Sequence, residues 1–276
     1  MIDPTRGVLF PHQLPRFTRL APPPEASELI AWLWVPQWNL PPGVESHQSL
    51  LAYPAANIVV EPTEVRLWGA TTRASERVLR GSGWAVGAVL RPAALMKLSD
   101  APAELVDGFV EVCAPDLHEA VAAAMPDEQA AADALSRWLI ARVGTTTAGG
   151  RLANEMSDLL LSDSRIRRVE EAARRMLVST RTFQRLTRRT VGVSPAAMIR
   201  RRRLQEAAQR VREGGGSSLA EVAAELGYAD HAHLAADFRA ELGLTASEYH
   251  RIIRSISESV AWRLPADAPR KPRSRM

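Results

Sequence analysis

Cysteine is nearly missing from this 276-residue chain: Cys113 stands alone, which excludes an internal disulfide framework and fits a reducing, cytoplasmic setting. Lysine is almost as scarce, Lys97 and Lys271 beside a wealth of arginine, a bias that reports a GC-rich genome rather than a function. No apolar run approaches the length of a membrane span, and the N-terminus lacks the charged-then-apolar order of a secretion signal. There is no glycine loop to cradle phosphates, no glycine-flanked serine elbow and no His-Glu-x-x-His array. The carboxylates Glu61 and Glu64 have no recognisable partner, and His231 and His233 have no third ligand at suitable spacing. An enzyme, a metal site and a bound cofactor are therefore not expected.

What the chain has in excess is arginine, and the excess is local. Residues 164–212 hold fifteen arginines against three acids, a net of +12, whereas residues 1–154 carry twelve basic and sixteen acidic side chains, a net of −4. A solvated surface is normally mixed in sign, so a segment this one-sided suits a polyanion.

The basic segment also belongs to an internal repeat. Ala172-Ala173, the turn Val178-Ser179 and the run from Phe183 to Ser194 return about fifty residues later as Ala223-Ala224, the turn Gly227-Tyr228-Ala229-Asp230 and the run from Leu234 to Thr245. Each copy reads as helix, short turn, helix. Val169, Ala172, Ala173 and Met176 fall at helical spacing, Ser179 is placed to cap the next helix, and Phe183 with Leu186 gives that helix an inward edge. Its opposite edge is Arg181, Gln184, Arg185 and Arg188. Such an edge suits the DNA major groove, because Arg donates two hydrogen bonds to guanine and Gln pairs with adenine. A solvated charged face is the bland alternative, against which the charge partition speaks.

These residues resemble a known family. Val178-Ser179-Thr180-Arg181-Thr182-Phe183-Gln184-Arg185, Val191-Gly192-Val193-Ser194-Pro195, Arg203-Leu204-Gln205-Glu206-Ala207-Ala208 and Glu221-Val222-Ala223-Ala224-Glu225-Leu226-Gly227-Tyr228, with His233-Leu234 and Phe238-Arg239, resemble in order and spacing the DNA-binding domain of AraC/XylS-type transcription regulators. The resemblance implies an all-α domain of two helix-turn-helix units joined by a linking helix near residues 195–212, with two recognition helices in successive major grooves. By position it makes Arg181, Gln184, Arg185 and His231 base-reading candidates, and Thr180, Arg188, Arg189, Arg200, Arg201, Arg202 and Arg239 phosphate candidates. The second recognition helix departs from the family. It offers His231, Ala232, Ala235 and Ala236, and residues 213–254 hold three arginines against seven acids, so the first unit is expected to carry most affinity and sequence choice. Thr187, where the second copy has Phe238, is a further departure and implies a smaller core under the first recognition helix.

The front half reads differently. Residues 30–35, 57–61, 65–69, 77–80 and 84–90 are short apolar or alternating runs between Pro and Gly turns, and residues 93–98, 102–107, 115–124 and 127–143 turn helical. The expected organisation is an α+β domain over 1–145, β-rich and cupin-like followed by helices. A glycine-rich hinge over 144–150 and a linker over 146–154 would lead to the all-α domain over 155–254, then a basic tail over 255–276. The run Val86 to Pro92, with Trp34 and the 54–60 strand, resembles the N-terminal domain of an actinobacterial subgroup of these regulators, which implies a sensor or dimerisation module. Trp34, Trp68 and Trp84 are its candidate pocket residues, with core packing as the duller account. The reading is a sequence-specific DNA-binding regulator whose partners are double-stranded DNA, a small-molecule effector or a second copy, and RNA polymerase if it activates. The alternative is a signal-binding or protein-interaction module with degenerate, nonspecific DNA binding.

Overall fold

The computed structural model describes residues 16–50, 52–213, 219–249 and 251–252; the expected basic tail lies outside them. Alternating and apolar runs become β1 (Arg16–Leu20), β2 (Ile30–Asn39), β3 (Glu45–Leu50), β4 (Asn57–Glu61), β5 (Glu64–Trp68), β6 (Ser75–Arg80), β7 (Ser82–Trp84), β8 (Val86–Leu90) and β9 (Phe109–Glu111). One antiparallel sheet runs β1-β2-β8-β4-β5-β9, with β7 also paired to β2, and β3 with β6 forms a separate ribbon. Every residue of β8 is buried, as expected of a strand with neighbours on both sides and a covered face. Gly87 is required there: the Trp34 indole lies where a Cβ would be, and its Nε1 donates to Asn57 Oδ1 at 3.2 Å.

Three helices follow, α1 (Pro92–Leu98), α2 (Pro115–Ala124) and α3 (Glu128–Val143). Asp127 starts α3 by accepting from the backbone N–H groups of Gln129 and Ala130 at 3.0 Å. The buried face of α3, with Leu135 and Leu139, lies over β2 and β8, and together with Leu33, Ile58, Leu67, Val86 and Leu117 forms the first core. A leucine buried this completely contributes about 1.5–3 kcal/mol. The expected helix at 102–107 is a 3-10 turn, Pro102–Leu105, and the strands β1, β3 and β9 were not foreseen.

The expected hinge over 144–150 runs into a helix, and most of the expected linker over 146–154 is helix. Thr147 caps α4 (Ala148–Ser162), its hydroxyl accepting from Gly150 N–H at 3.1 Å. Gly150 lacks a side chain because α4 is pressed on α1: a Cβ there would sit 3.1 Å from that of Ala93. Asn154 fixes the same contact, accepting from Ala93 N–H at 3.0 Å and donating to the Glu28 carbonyl at 2.8 Å. The small residues thus serve close approach here, a use of glycine that composition does not distinguish from flexibility.

Beyond α4 the chain is all helix: α5 (Val169–Arg175), α6 (Thr180–Val191), α7 (Pro195–Glu213), α8 (Leu219–Glu225) and α9 (His231–Leu242). The two repeats enclose separate cores. Met156, Leu160, Ile166, Phe183 and Ile199 fill the first, and Leu204, Val222, Leu234, Phe238 and Tyr249 fill the second. The linking helix α7 feeds both, since its N-terminal half contributes Met198 and Ile199 to one core and its later turns contribute Leu204, Ala207 and Val211 to the other.

Candidate nucleic-acid interface

Local sequence sets α6 firmly. Ser179 Oγ accepts from Thr182 N–H at 3.1 Å, and Gly192 ends the helix in the left-handed region at φ 91°. Phe183 and Val191 are buried inward with Thr187 and Thr190. The two buried threonines are satisfied within the helix, each hydroxyl donating at 2.9 Å to the carbonyl four residues back. Thr187 therefore leaves no unpaired polar group, although it fills less space than Phe238 does in the second copy.

The outward face of α6 presents Arg181, Gln184, Arg185, Arg188 and Arg189, all exposed, with Thr180 half-buried at the first turn. None of these four arginines has an ion-pair partner among the described residues. Other arginines nearby are neutralised. Arg165 and Arg175 both pair with Asp163, whose carboxyl is held well below the usual carboxylate range chiefly by the hydrogen bond from Arg165. Arg210 pairs with Glu225. The exposed face of α6 is a row of unopposed positive charge and one carboxamide, on a rigid helix, with its N-terminal turn free of acids. That arrangement can donate in parallel to base edges and phosphate oxygens.

Two of the arginines assigned to phosphate are turned inward. Arg202 is fully buried, its guanidinium donating to the carbonyls of Leu160 at 3.0 Å and Ile166 at 2.6 Å, and to that of Asp163. Arg201 is 6% exposed and donates to the Thr72 carbonyl at 3.1 Å, and burial lowers its pKa. Both are therefore withdrawn from the surface. Arg200 remains half-exposed but is paired with Asp237 at 2.9 Å and Glu241 at 3.6 Å. The run of four arginines cannot share one helix face, and positions 198, 202 and 205 form an inward stripe, a periodicity that would have separated Arg202 from its neighbours.

In the second unit Asp230 caps α9, accepting from His233 N–H at 2.8 Å, and His231, Ala232, His233, Ala236 and Arg239 face outward. The ring of His233 meets that of Tyr228 edge-on at 5.3 Å, and Arg203 of α7 lies 4.0 Å over the Tyr228 ring. Arg167, which the motif reading passed over, joins the two units by donating to the Glu225 carbonyl at 2.9 Å and covering Gly227. Glu171 holds the start of α5 by accepting from Arg167 and Arg168 N–H at 2.8 and 3.1 Å, which keeps its carboxyl below its ordinary value of 4.5.

The three tryptophans named as pocket candidates do not surround one cavity. Trp34 covers Gly87, Trp68 stacks on Phe109 at 4.5 Å, and Trp84 packs against the first core. Trp32 faces a cavity, a partly open space between the sheet and α4.

Residues 172–252 match a helix-turn-helix domain, and residues 18–111 match a domain of unknown function, DUF6597. No curated protein matches the chain. Among solved structures, the DNA-binding domain of AdpA, a global transcriptional factor in complex with a target DNA, is 26% identical, over 41% of this chain and 98% of that one, with a TM-score of 0.33. ToxT from Vibrio cholerae O395 is 12% identical over 86% of this chain and 96% of its own, with a TM-score of 0.39. ToxT from strain SCE256, bound to an unsaturated fatty acid, is 12% identical over 91% of this chain and 97% of its own, with a TM-score of 0.38.

Proposed function

We propose that this chain, whose C-terminal part is an AraC-type helix-turn-helix domain behind an N-terminal domain of unknown function, is a sequence-specific, DNA-binding transcription regulator of the cytoplasm. The observation that carries this reading is the outward face of α6, where Arg181, Gln184, Arg185 and Arg188 stand exposed at helical spacing, the arginines without ion-pair partners among the described residues. Arg181, Gln184 and Arg185 read bases, with His231 as the base contact of the second unit. Thr180, Arg188, Arg189 and Arg239 hold phosphate, and Arg200 joins them when it leaves its acidic partners.

The N-terminal domain modulates this activity through a small molecule, a second copy, or both. Supporting that reading, it touches both units. Gly192 at the end of α6 is packed on the Pro102 carbonyl and Val106, and Ala74 N–H donates to the Glu241 carbonyl of α9 at 3.1 Å. Between them Gln205 of α7 donates to the Ala52 carbonyl at 3.0 Å. A ligand that moves these loops changes how the two recognition helices are held. As an activator the protein would also meet RNA polymerase.

Selection of bound fragments from a random DNA pool at about 150 mM salt, where phosphate-only binding is suppressed, tests the function. A single enriched motif is expected from the intact chain, and its loss from Arg181→Ala/Arg185→Ala. The exposed alanines of α9 favour a second reading, a module with degenerate DNA binding, and recovery of no motif with salt-sensitive binding to every sequence would select it.

A further inference from the structure

The partly open space beside Trp32 has features that core packing does not require. It lies where β2 and β8 meet α4, has a volume of about 90 Å³, and is bounded by Trp32, Tyr53, Arg91, Ser157 and Asp158. Trp32 and Tyr53 form its aromatic wall, edge-to-face at 5.0 Å. Ser157 is 7% exposed, and its hydroxyl has no hydrogen-bond partner among the described residues. Arg91 enters from the end of β8, anchored by donation from Nη1 to the Ser27 carbonyl at 3.3 Å, while Nη2 meets the Asp158 carboxylate.

The two partners of that ion pair are unequal. The Arg91 side chain is 23% exposed, whereas that of Asp158 is 59% exposed. Asp158 sits largely in water already and gives up little on release. Arg91 is fixed and half-desolvated, so it gains most from a well-placed anion.

We infer that this cavity is a binding site for a short-chain carboxylate, whose anion takes the place of Asp158 on Arg91. Its hydrocarbon part lies against Trp32 and Tyr53, and Ser157 donates to its second oxygen. Size sets the chain length: water takes roughly 30 Å³ in the liquid, so the space holds about three waters, or an acid of roughly three or four carbons. That volume leaves no room inside for the chain of a much longer acid.

The site is joined to the linking helix. Thr71 N–H donates to the Tyr53 carbonyl at 3.0 Å, and its hydroxyl accepts from Tyr53 N–H at 2.8 Å. The next carbonyl, that of Thr72, accepts from Arg201, and the preceding one, that of Ala52, accepts from Gln205. Any shift of Tyr53 is thereby passed to two side chains of α7. The regulatory role of the site rests on the function proposed above, but the site itself does not.

Calorimetry on the full chain in carboxylate-free buffer, with propionate, butyrate, propionamide, propylammonium and octanoate, tests the site. Propionate or butyrate should bind, while the amide, the amine and the long acid should not. Arg91→Ala should abolish binding and Ser157→Leu, which fills the space, should do the same. Asp158→Asn should tighten binding by about two- to five-fold, the competition of an exposed ion pair being removed. The last variant alters an exposed side chain and so remains decisive if Arg91→Ala does not fold. Absence of binding by either short acid, equal binding of the amide or the amine, or weaker binding by Asp158→Asn would overturn the assignment. DNA selection is read separately: a motif without acid binding sinks this site alone, and acid binding without a motif sinks the regulator alone.

Discussion

Leu177 is the residue most at odds with its surroundings. It lies in the turn of the first unit with φ 55° and its side chain 93% exposed, at the place where the second copy has Gly227 with φ 74°. The left-handed region costs a branched residue roughly 1–2 kcal/mol, and glycine gives back about half of that in lost chain entropy. Leu177→Gly should therefore raise stability by about 0.5–1 kcal/mol, seen as a higher urea midpoint, with DNA affinity unchanged. A lower midpoint would mean that the leucine has contacts that outweigh its backbone. Arg202 is the opposite case, a charge out of solvent held by three carbonyls and by the Glu206 carboxylate at 3.4 Å. Arg202→Ala leaves those acceptors unmet in a buried site and should cost about 3–5 kcal/mol. Arg188→Ala, on the exposed face of α6, should leave stability within about 0.5 kcal/mol. Equal melting curves for these two variants would show that Arg202 is not the internal brace described.

At the scale of the element, α6 makes the clearest demands. Arg181→Ala or Gln184→Ala should weaken the best DNA site by about 1–3 kcal/mol and relax its sequence preference, whereas Arg189→Ala should weaken all sequences alike and lower the salt slope by about one. A uniform loss from Arg181→Ala would move that residue to the phosphate group. The start of α5 depends on pH through Glu171, whose pKa is lowered mainly by the hydrogen bond from Arg167 N–H. A lowered carboxylate contributes stability that is present above its ordinary pKa of 4.5 and lost as pH falls through the lowered value. Glu171→Gln should accordingly flatten the acid side of the stability profile, and an unchanged profile would discount this cap. The elements themselves were largely legible: β4 and α2 run over the residues expected, and α3 starts after the Asp127 that was expected to begin it, because their apolar periodicity and caps are local signals. The exposed face of α6 was legible for the same reason. Position 202 was not read correctly, since an arginine run draws attention to charge, while its burial is decided by helix period and by carbonyls forty residues away.

For the whole molecule, the disposition of α4 decides where the chain divides. The linker expected at 146–154 and a DNA-binding domain beginning at 155 would cut this helix after its second turn. Yet α4 belongs to both sides. Gly150 and Asn154 fit it against α1 and the Glu28 carbonyl, while Met156 and Leu160 enter the core of the first helix-turn-helix unit. Long-range fits of this kind have no local sequence signature, because glycine and asparagine occur as readily in loops. We propose that the working boundary lies at Thr147, whose hydroxyl caps the helix. A fragment beginning at Thr147 keeps the cap and all of α4. One beginning at 155 loses two turns and the N-terminal support of Met156. The first should therefore be soluble, melt cooperatively and bind the selected DNA site. The second should be less stable by about 2 kcal/mol or more, since a shortened helix frays toward the residues that fill the core. Thermal melts of the two fragments with and without the DNA site would measure this. Equal stability would place the boundary inside α4 and make its first two turns part of the N-terminal domain alone. The longer fragment also frees Arg201 from the Thr72 carbonyl and Gln205 from the Ala52 carbonyl. If the N-terminal domain restrains the linking helix, this fragment should bind DNA more tightly than the full chain does. Equal affinity would leave those contacts a structural role only.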